Sequence, residues 1–194
     1  MATATATAVR EKPATQVITG VVRLSFANIW EPKSINGSEP KYSVCLLVDK
    51  TDTATVNKIK AAMGAATAEG VTKFGAKFKG KLKLPLRDGD EERADDENYA
   101  GHYFINANSK QAPDIVDAAR EPIEDEDKVY SGCYARASIN FFPFDTNGNK
   151  GVAVGLNGLQ KVKDGSRLSG RRANAAEDFD DGFEPEYADD DFMG

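Results

Sequence analysis

The sequence predicts a mainly β domain, a small antiparallel barrel or sandwich of about five strands with one α-helix and long loops. Three observations lead there. Several separate stretches are rich in β-branched and aromatic residues, and turn residues bound them. One stretch alone carries convincing helical spacing. No regular alternation of strand and helix is present, which argues against a doubly wound nucleotide-type sheet.

The elements follow in order. Residues 15–30, TQVITGVVRLSFANIW, read as one long strand, and residues 41–49, KYSVCLLVD, as a second. Residues 52–69 are rich in Ala and Lys, with Val56, Ile59 and Met63 at helical spacing. Asp52 is the expected N-cap and Gly70 the expected stop. Residues 71–87, VTKFGAKFKGKLKLPLR, are basic, and residues 88–97, DGDEERADDE, form an acidic loop. Residues 99–108 read as a further strand and residues 109–127, mixing Pro, Asp and Glu, as a long loop. Two strong strands close the domain at 128–144 and 150–163. Between them, Asn147-Gly148 is a hairpin signal, because both residues tolerate positive φ in a type I′ turn.

The 194-residue chain suits one domain with tails: a disordered N-terminus at 1–14, a folded unit at 15–163, and a linker with an acidic disordered tail at 164–194. No apolar run approaches the roughly 20 residues of a membrane span. The start MATATATAVREKPAT lacks an apolar secretion segment, so a cytoplasmic protein without membrane contact is expected. Cys45 and Cys133 sit apart in apolar stretches, and with the single histidine, His102, they make a poor metal set. Buried reduced thiols, no metal and no cofactor are expected.

The formal net charge is −6. Residues 177–194 hold nine acids and no base; without them, 22 acids face 25 bases, so residues 1–176 carry about +3. The tail also carries Phe179, Phe183, Tyr187 and Phe192 and ends DDDFMG. Carboxylates interspersed with rings resemble a nucleic-acid strand in both charge and stacking. Phe183, Tyr187, Asp189, Asp190, Asp191 and Phe192 are therefore expected to occupy a DNA groove in cis or to dock on partner proteins.

A two-residue turn at Asn147-Gly148 sorts the last hairpin into two faces. One pairs Ile139 with Leu156, Phe141 with Val154 and Pro143 with Val152, and is apolar. The other pairs Tyr134 with Lys161, Arg136 with Leu159, Ser138 with Asn157, Asn140 with Gly155 and Phe142 with Ala153. Rings and cations beside small residues are what sequence-tolerant binding of single strands needs: bases stack and cations track the backbone. Tyr134, Arg136, Phe142 and Lys161 are the DNA-contact candidates here. In the basic stretch, Phe74 and Phe78 interleave with Lys77, Lys79, Lys81 and Lys83, and an extended strand would put those lysines on one side. Trp30 and Phe104 are further stacking candidates. The motif GAKFKGK at 75–81 has phosphate-loop spacing, but Leu82 stands where the magnesium-holding hydroxyl belongs. One histidine supports no nucleophilic triad, and a contiguous acidic loop is ordinarily solvated.

The block VYSGCYARASINFFPFDTNGNKGVAVGLNGLQKVKDGSRLSG (129–170) resembles the C-terminal signature of a phage single-stranded-DNA-binding protein family, and GHYFINANSKQAPDIVD is similar to it too. The resemblance implies an OB-fold that protects single strands during phage replication and recombination, with DNA contacts that include Tyr134, Arg136 and Phe142. The acidic terminus is similar in kind to tails of bacterial single-strand binders that recruit replication proteins, although it lacks their Pro-Phe end. The reading from sequence is a non-enzymatic binder of single-stranded DNA. The alternatives are a strand-annealing recombination protein, a metal-dependent nuclease using the 88–97 carboxylates, and an interaction protein whose tail alone matters.

Overall fold

The computed structural model describes residues 11–168. In chain order the strands are β1 (Gln16–Ile18), β2 (Val22–Lys33), β3 (Lys41–Asp49), β4 (Arg87–Asp88), β5 (His102–Ser109), β6 (Asp114–Val116), β7 (Tyr134–Thr146) and β8 (Asn149–Lys163). The helices are α1 (Thr53–Phe74) and the single turn α2 (Gly89–Glu92).

Five strands have eight residues or more, and they close a ring. β2 pairs β3, β3 pairs β5, β5 meets β8, β8 pairs β7, and β7 returns to β2. All these pairs are antiparallel except β5–β8, which is parallel and touches only at Asn108–Gly155. The gap between the first halves of β5 and β8 is filled by the preceding segment. Lys83 bridges to Gly151, and β4 pairs Arg87 with Phe104. This is a small, partly open OB-type barrel. β1, β4 and β6 are short additions to it.

Alternation fills the interior. Val22 and Leu24, Val44, Leu46 and Val48, Ile105 and Ala107, Ile139 and Phe141, and Val152, Val154 and Leu156 are all buried in one cluster. α1 adds Val56, Ile59, Ala62 and Ala66 to it.

Several expectations change. The strand expected over 15–30 is broken at Thr19–Val21, where the Gly20 amide donates to Thr55 Oγ1 on α1. Asp52 caps α1 as expected, accepting from the Thr55 amide at 3.1 Å. Gly70 does not stop the helix, which runs on to Phe74 and ends at Gly75, φ 92°. Gly70 is buried under Phe78, and a Cβ there would stand 2.1 Å from that ring. Its use is the close approach of a ring to a helix rather than a left-handed cap. Residues 76–79 form a 3-10 turn instead of a strand, so Lys77, Lys79 and Lys81 are exposed without sharing one side of an extended ribbon.

The hairpin turn forms as expected, with Asn147 at φ 50° and Gly148 at φ 80°. The expected pairing holds from Ile139 to Thr146. It then slips, because Asn157 is an extra residue in β8: Ser138 faces Gly158, Arg136 faces Gln160, and Lys161 faces Ala135. A second irregularity leaves Tyr134 opposite Lys163.

Both cysteines are free and buried. Burial pushes the Cys45 thiol up to about 11 and the Tyr99 phenol up to about 12; a Tyr99–Cys45 hydrogen bond of 3.7 Å joins them. The unfolded thiol ionises from about pH 8.5 and the folded one does not. Cys45 therefore favours the fold fully below that pH, and its contribution fades as pH rises through 11. Iodoacetamide at pH 8.5 should leave Cys45 unmodified in native protein and label it in urea. Prompt native labelling would show that the thiol is not buried.

Candidate nucleic-acid interface

The outer face of β3 and β5 splits into a covered half and an open half. Cys45, Leu47 and Phe104 point outward but are covered by Tyr99, which is buried and meets Phe104 edge-to-face at 5.2 Å. Tyr99 belongs to a flap, residues 89–101, that carries the acidic loop. The flap is tied down by ion pairs. Lys50 bonds Asp88 and Asp90, each at 2.7 Å, and Arg87 pairs with Glu92. Lys50 lowers the pKa of both aspartates, so they stay ionised. Three carboxylates of the 88–97 run are thus engaged with cations of this chain, and the loop is folded rather than freely solvated. Among the described residues no three His, Cys, Asp or Glu side chains converge on a cation position.

The open half is a groove of about 540 Å³. Asn28, Ser43, Asn106 and Asn108 supply amides and a hydroxyl from neighbouring strands, paired across the sheet as Asn28–Ser43–Asn108 and Cys45–Asn106. Lys33 and Lys41 stand at one side and Arg93, from the flap, at the other. Two apolar side chains rise from it, Phe26 at 53% exposure and Ile35 at 62%. Ile35 lies on the loop between β2 and β3. In OB barrels the face of the second and third barrel strands, here β3 and β5, with that first loop, is where oligonucleotides lie.

Phe26 deserves its place physically. β2 loses register between Ser25 and Asn28, and Phe26 has φ 46°, unusual for an aromatic residue. The conformation is held by neighbours: the Ala27 amide donates to Ser131 Oγ at 2.9 Å, and Asn28 Nδ2 donates to Phe26 O and to Ser43 Oγ, each at 3.3 Å. Strain of this kind persists only where surroundings impose it, and it gathers at functional sites. The bulge turns a ring outward at a saddle, because Phe26, Asn28 and Lys33 also line a second depression of about 530 Å³. That depression adds Trp30, Tyr130, Ser131 and Arg167, with Glu126 and Asp127 at its acidic edge.

Beyond it runs a strip of rings and cations. Arg167 lies 4.2 Å from the Tyr130 ring centre and Lys161 5.9 Å; Lys163 lies 4.7 Å and Arg23 5.7 Å from that of Tyr134. Arg23 donates to Gly132 O and Ser166 O, which fixes it beside Tyr134. Lys161 is also paired with Asp164 at 2.6 Å.

The residues expected from sequence therefore divide. Trp30, half-buried with Nε1 donating to Val129 O at 2.9 Å, lies in the second depression, and Tyr134 and Lys161 belong to the strip beside it. Phe104 and Phe78 are corrections: each is 1% exposed, one beneath Tyr99 and Arg87, the other beneath α1, so neither offers a face for stacking. Phe142, 42% exposed, lines a shallow hollow beside α1 with Ala68, Glu69, Thr72 and Lys73. Phe74 stacks on Phe78 at 5.4 Å at the end of α1. Arg136 lines a separate pocket between β1, β7, β8 and β6. None of these three lines the groove. The tail candidates Phe183, Tyr187, Asp189, Asp190, Asp191 and Phe192 lie outside the described residues.

Sequence reading missed Phe26, Ile35, Arg93, Asn106 and Asn108. A signal existed for two of them: the alternation of HYFINANS puts Asn106 and Asn108 on the face opposite Ile105 and Ala107. Phe26 carried no such signal, because its outward turn comes from a bulge.

Comparison with known proteins decides the family. The family profile described as Enterobacter phage Enc34, ssDNA-binding protein, matches residues 15–193. This chain belongs to that family. A curated relative from Acyrthosiphon pisum secondary endosymbiont phage 1, "Putative protein p50", is 34% identical over 171 residues, covering 82% of this chain and 90% of the relative. The single-stranded DNA-binding protein from bacteriophage Enc34, solved in complex with ssDNA, is similar with a TM-score of 0.72 at 25% identity, covering 80% of this chain and 90% of that one. The single-stranded DNA binding protein gp2.5 of bacteriophage T7 shares the fold, with a TM-score of 0.57 at 14% identity over 80% of this chain and 96% of that one. Among the described residues no helix of this family member is long and apolar enough to cross a membrane.

Proposed function

We propose that this protein binds single-stranded DNA without sequence preference and protects it during phage DNA replication and recombination. The observation that carries the reading is Phe26, an exposed ring on a strained bulge at the saddle between two depressions on the oligonucleotide face of an OB barrel. Bases stack on Phe26 and on the half-buried Trp30. Phosphates pass Lys33, Lys41 and Arg93 and then the strip of Arg23, Lys163 and Arg167. Asn28, Ser43, Asn106 and Asn108 meet base edges with groups that both donate and accept, which suits a site indifferent to sequence. The family profile and the Enc34 protein solved with ssDNA support this reading.

The protein acts by binding, without catalysis. The nuclease alternative needs carboxylates that converge on a metal; Asp88, Asp90 and Glu92 are engaged by Lys50 and Arg87, and among the described residues no three acidic, His or Cys side chains converge. The acidic, aromatic segment 177–194 competes with DNA for the basic groove and serves as a docking segment for replication or recombination proteins. Leu168, nine residues before that segment, donates its amide to Ser131 O, beside the second depression.

Fluorescence anisotropy of labelled oligo-dT across a salt series tests this. The expected result is binding whose log affinity falls linearly with log salt, and which tightens when residues 177–194 are removed. No salt-dependent binding by either form would sink the reading. Weaker binding after truncation would remove the competing tail.

A further inference from the structure

The pocket that holds Arg136 lies on β1, β6, β7 and β8 and shares no lining residue with the groove. It has a volume of about 320 Å³. Its construction comes from the β8 bulge. Asn157 and Gly158 both face outward opposite Ser138, and Gly158, with no side chain, leaves a hollow in the cross-strand row Ile18–Ser138–Gly158–Asp114. A Cβ at Gly158 would stand 2.8 Å from Asp114 O, so the hollow cannot be filled from its own backbone. Ile18, Val116 and Leu159 add apolar surface.

Two guanidiniums border this hollow. Arg136 Nε donates to Thr19 O at 3.3 Å and Nη1 to Gln160 Oε1 at 3.4 Å. The same Gln160 donates from Nε2 to Asp117 O and Ala118 O, each at 3.4 Å. It thereby ties Arg136 to the turn that carries Arg120, which has φ 69° and donates its backbone N–H to Asp117 O. Neither arginine is in an ion pair among the described residues. The polar rim is completed by Asp114, Ser138 and Asn157, and Asn157 Nδ2 is oriented by Ser138 Oγ at 3.4 Å.

We propose that this pocket is a second nucleotide-binding site, taking one base and its phosphate from a single-stranded nucleic acid. The apolar floor accepts a base face. The Asp114 carboxylate accepts from a base N–H, the Asn157 amide meets the other edge, and an unpaired arginine engages the phosphate or stacks on the base. An acidic peptide fits less well, because Asp114 is in the pocket and Asp117 and Glu121 lie along the turn. The groove and this pocket share no lining residue, although the groove's Asn108 edge meets β8 at Gly155, so an oligonucleotide short enough to stay in the groove leaves the pocket free. One chain thus holds two segments of single strand at once, which is the arrangement that bringing two strands together requires. The inference rests on the proposed single-strand binding.

Photo-crosslinking separates the two readings. Full-length protein is irradiated with oligo-dT carrying 5-iodo-deoxyuridine, at one oligonucleotide per chain and at excess, and the crosslinked peptides are mapped. Groove peptides from 26–43 should appear at both ratios, and peptides from 114–120 or 157–160 at excess. Arg120→Glu should reduce the second set by about tenfold, one charge-assisted contact, and leave the groove set within about twofold. Asn157→Phe, which fills the hollow from an exposed position, should do the same without disturbing the arginines. Groove crosslinks alone at saturating oligonucleotide would overturn the second site and leave the proposed function standing. The absence of groove crosslinks would undo the proposed function itself. Labelling of the pocket by a photoreactive peptide of residues 177–194, with none by oligo-dT, would overturn the nucleotide in favour of an acidic ligand.

Discussion

Phe26→Ala should weaken oligo-dT binding by about 1–3 kcal/mol, roughly 5- to 150-fold, while the fold is retained. The range is the cost of removing one aromatic platform from a single-strand site. The fold is insensitive because the ring is already 53% exposed and packs no core. Stability is expected to move the other way. A non-glycine residue at φ 46° costs on the order of 1–2 kcal/mol, and Phe26→Gly removes that cost together with the ring. Phe26→Gly should therefore raise the urea midpoint and lower DNA affinity, an exchange of stability for function. Phe26→Trp should keep or strengthen binding. If Phe26→Ala bound oligo-dT with unchanged affinity, the groove would not be the DNA path, and the strip around Tyr130 and Tyr134 would become the leading candidate.

Tyr99→Ala should cost about 3–5 kcal/mol of stability, the range for emptying a large aromatic site in a core. Tyr99 is 1% exposed and fills the space above Cys45, Leu47 and Phe104. It also accepts the Arg93 guanidinium over its ring at 5.3 Å, and Arg93 is the flap's contribution to the groove. The variant should consequently lose DNA affinity as well, through Arg93 losing its position rather than through lost contact. Denaturant unfolding followed by oligo-dT anisotropy reads both effects. Tyr99→Phe separates them: it keeps the packing, loses the bonds to Ser25 and Cys45, and should bind DNA normally with a stability loss of about 1 kcal/mol. A Tyr99→Ala protein less than about 1 kcal/mol weaker would mean the flap is not packed on the barrel, and that the oligonucleotide face is wider than the described groove.

Phe26 and Tyr99 have roles in the structure that their local sequence does not announce. The sequence pattern makes Tyr99 the first residue of a strand and the acidic run before it a loop. The strand begins later, at His102, because residues 89–101 fold back across the sheet, and the paired charges Lys50–Asp88 and Lys50–Asp90 are 38 and 40 residues apart in the chain. Phe104 and Phe78 looked like stacking rings because aromatic residues among lysines and arginines suit that role locally. What buries them, Tyr99 over one and the Gly70 notch of α1 over the other, comes from other elements. Outward alternation on the last hairpin pairs Tyr134 with Lys161, whereas the bulge sets Lys161 opposite the buried Ala135 and leaves Tyr134 opposite Lys163.

What the sequence determined by itself follows from local and periodic physics. Period-two burial marked the long strands, Asp52 began the helix, and Asn147-Gly148 made the turn whose register holds for the first eight pairs. The mainly β class and the uneven charge along the chain were legible for the same reason, since both are sums over neighbouring residues. Which surface is open depends on the assembled barrel. A bulge moves a side chain across a sheet without any change in composition, as at Phe26 and at Asn157-Gly158. A flap held by distant ion pairs covers half of one face, and ring closure puts β5 and β8 side by side. Binding depends on that exposed remainder, and exposure is a property of the assembled barrel rather than of any segment in it.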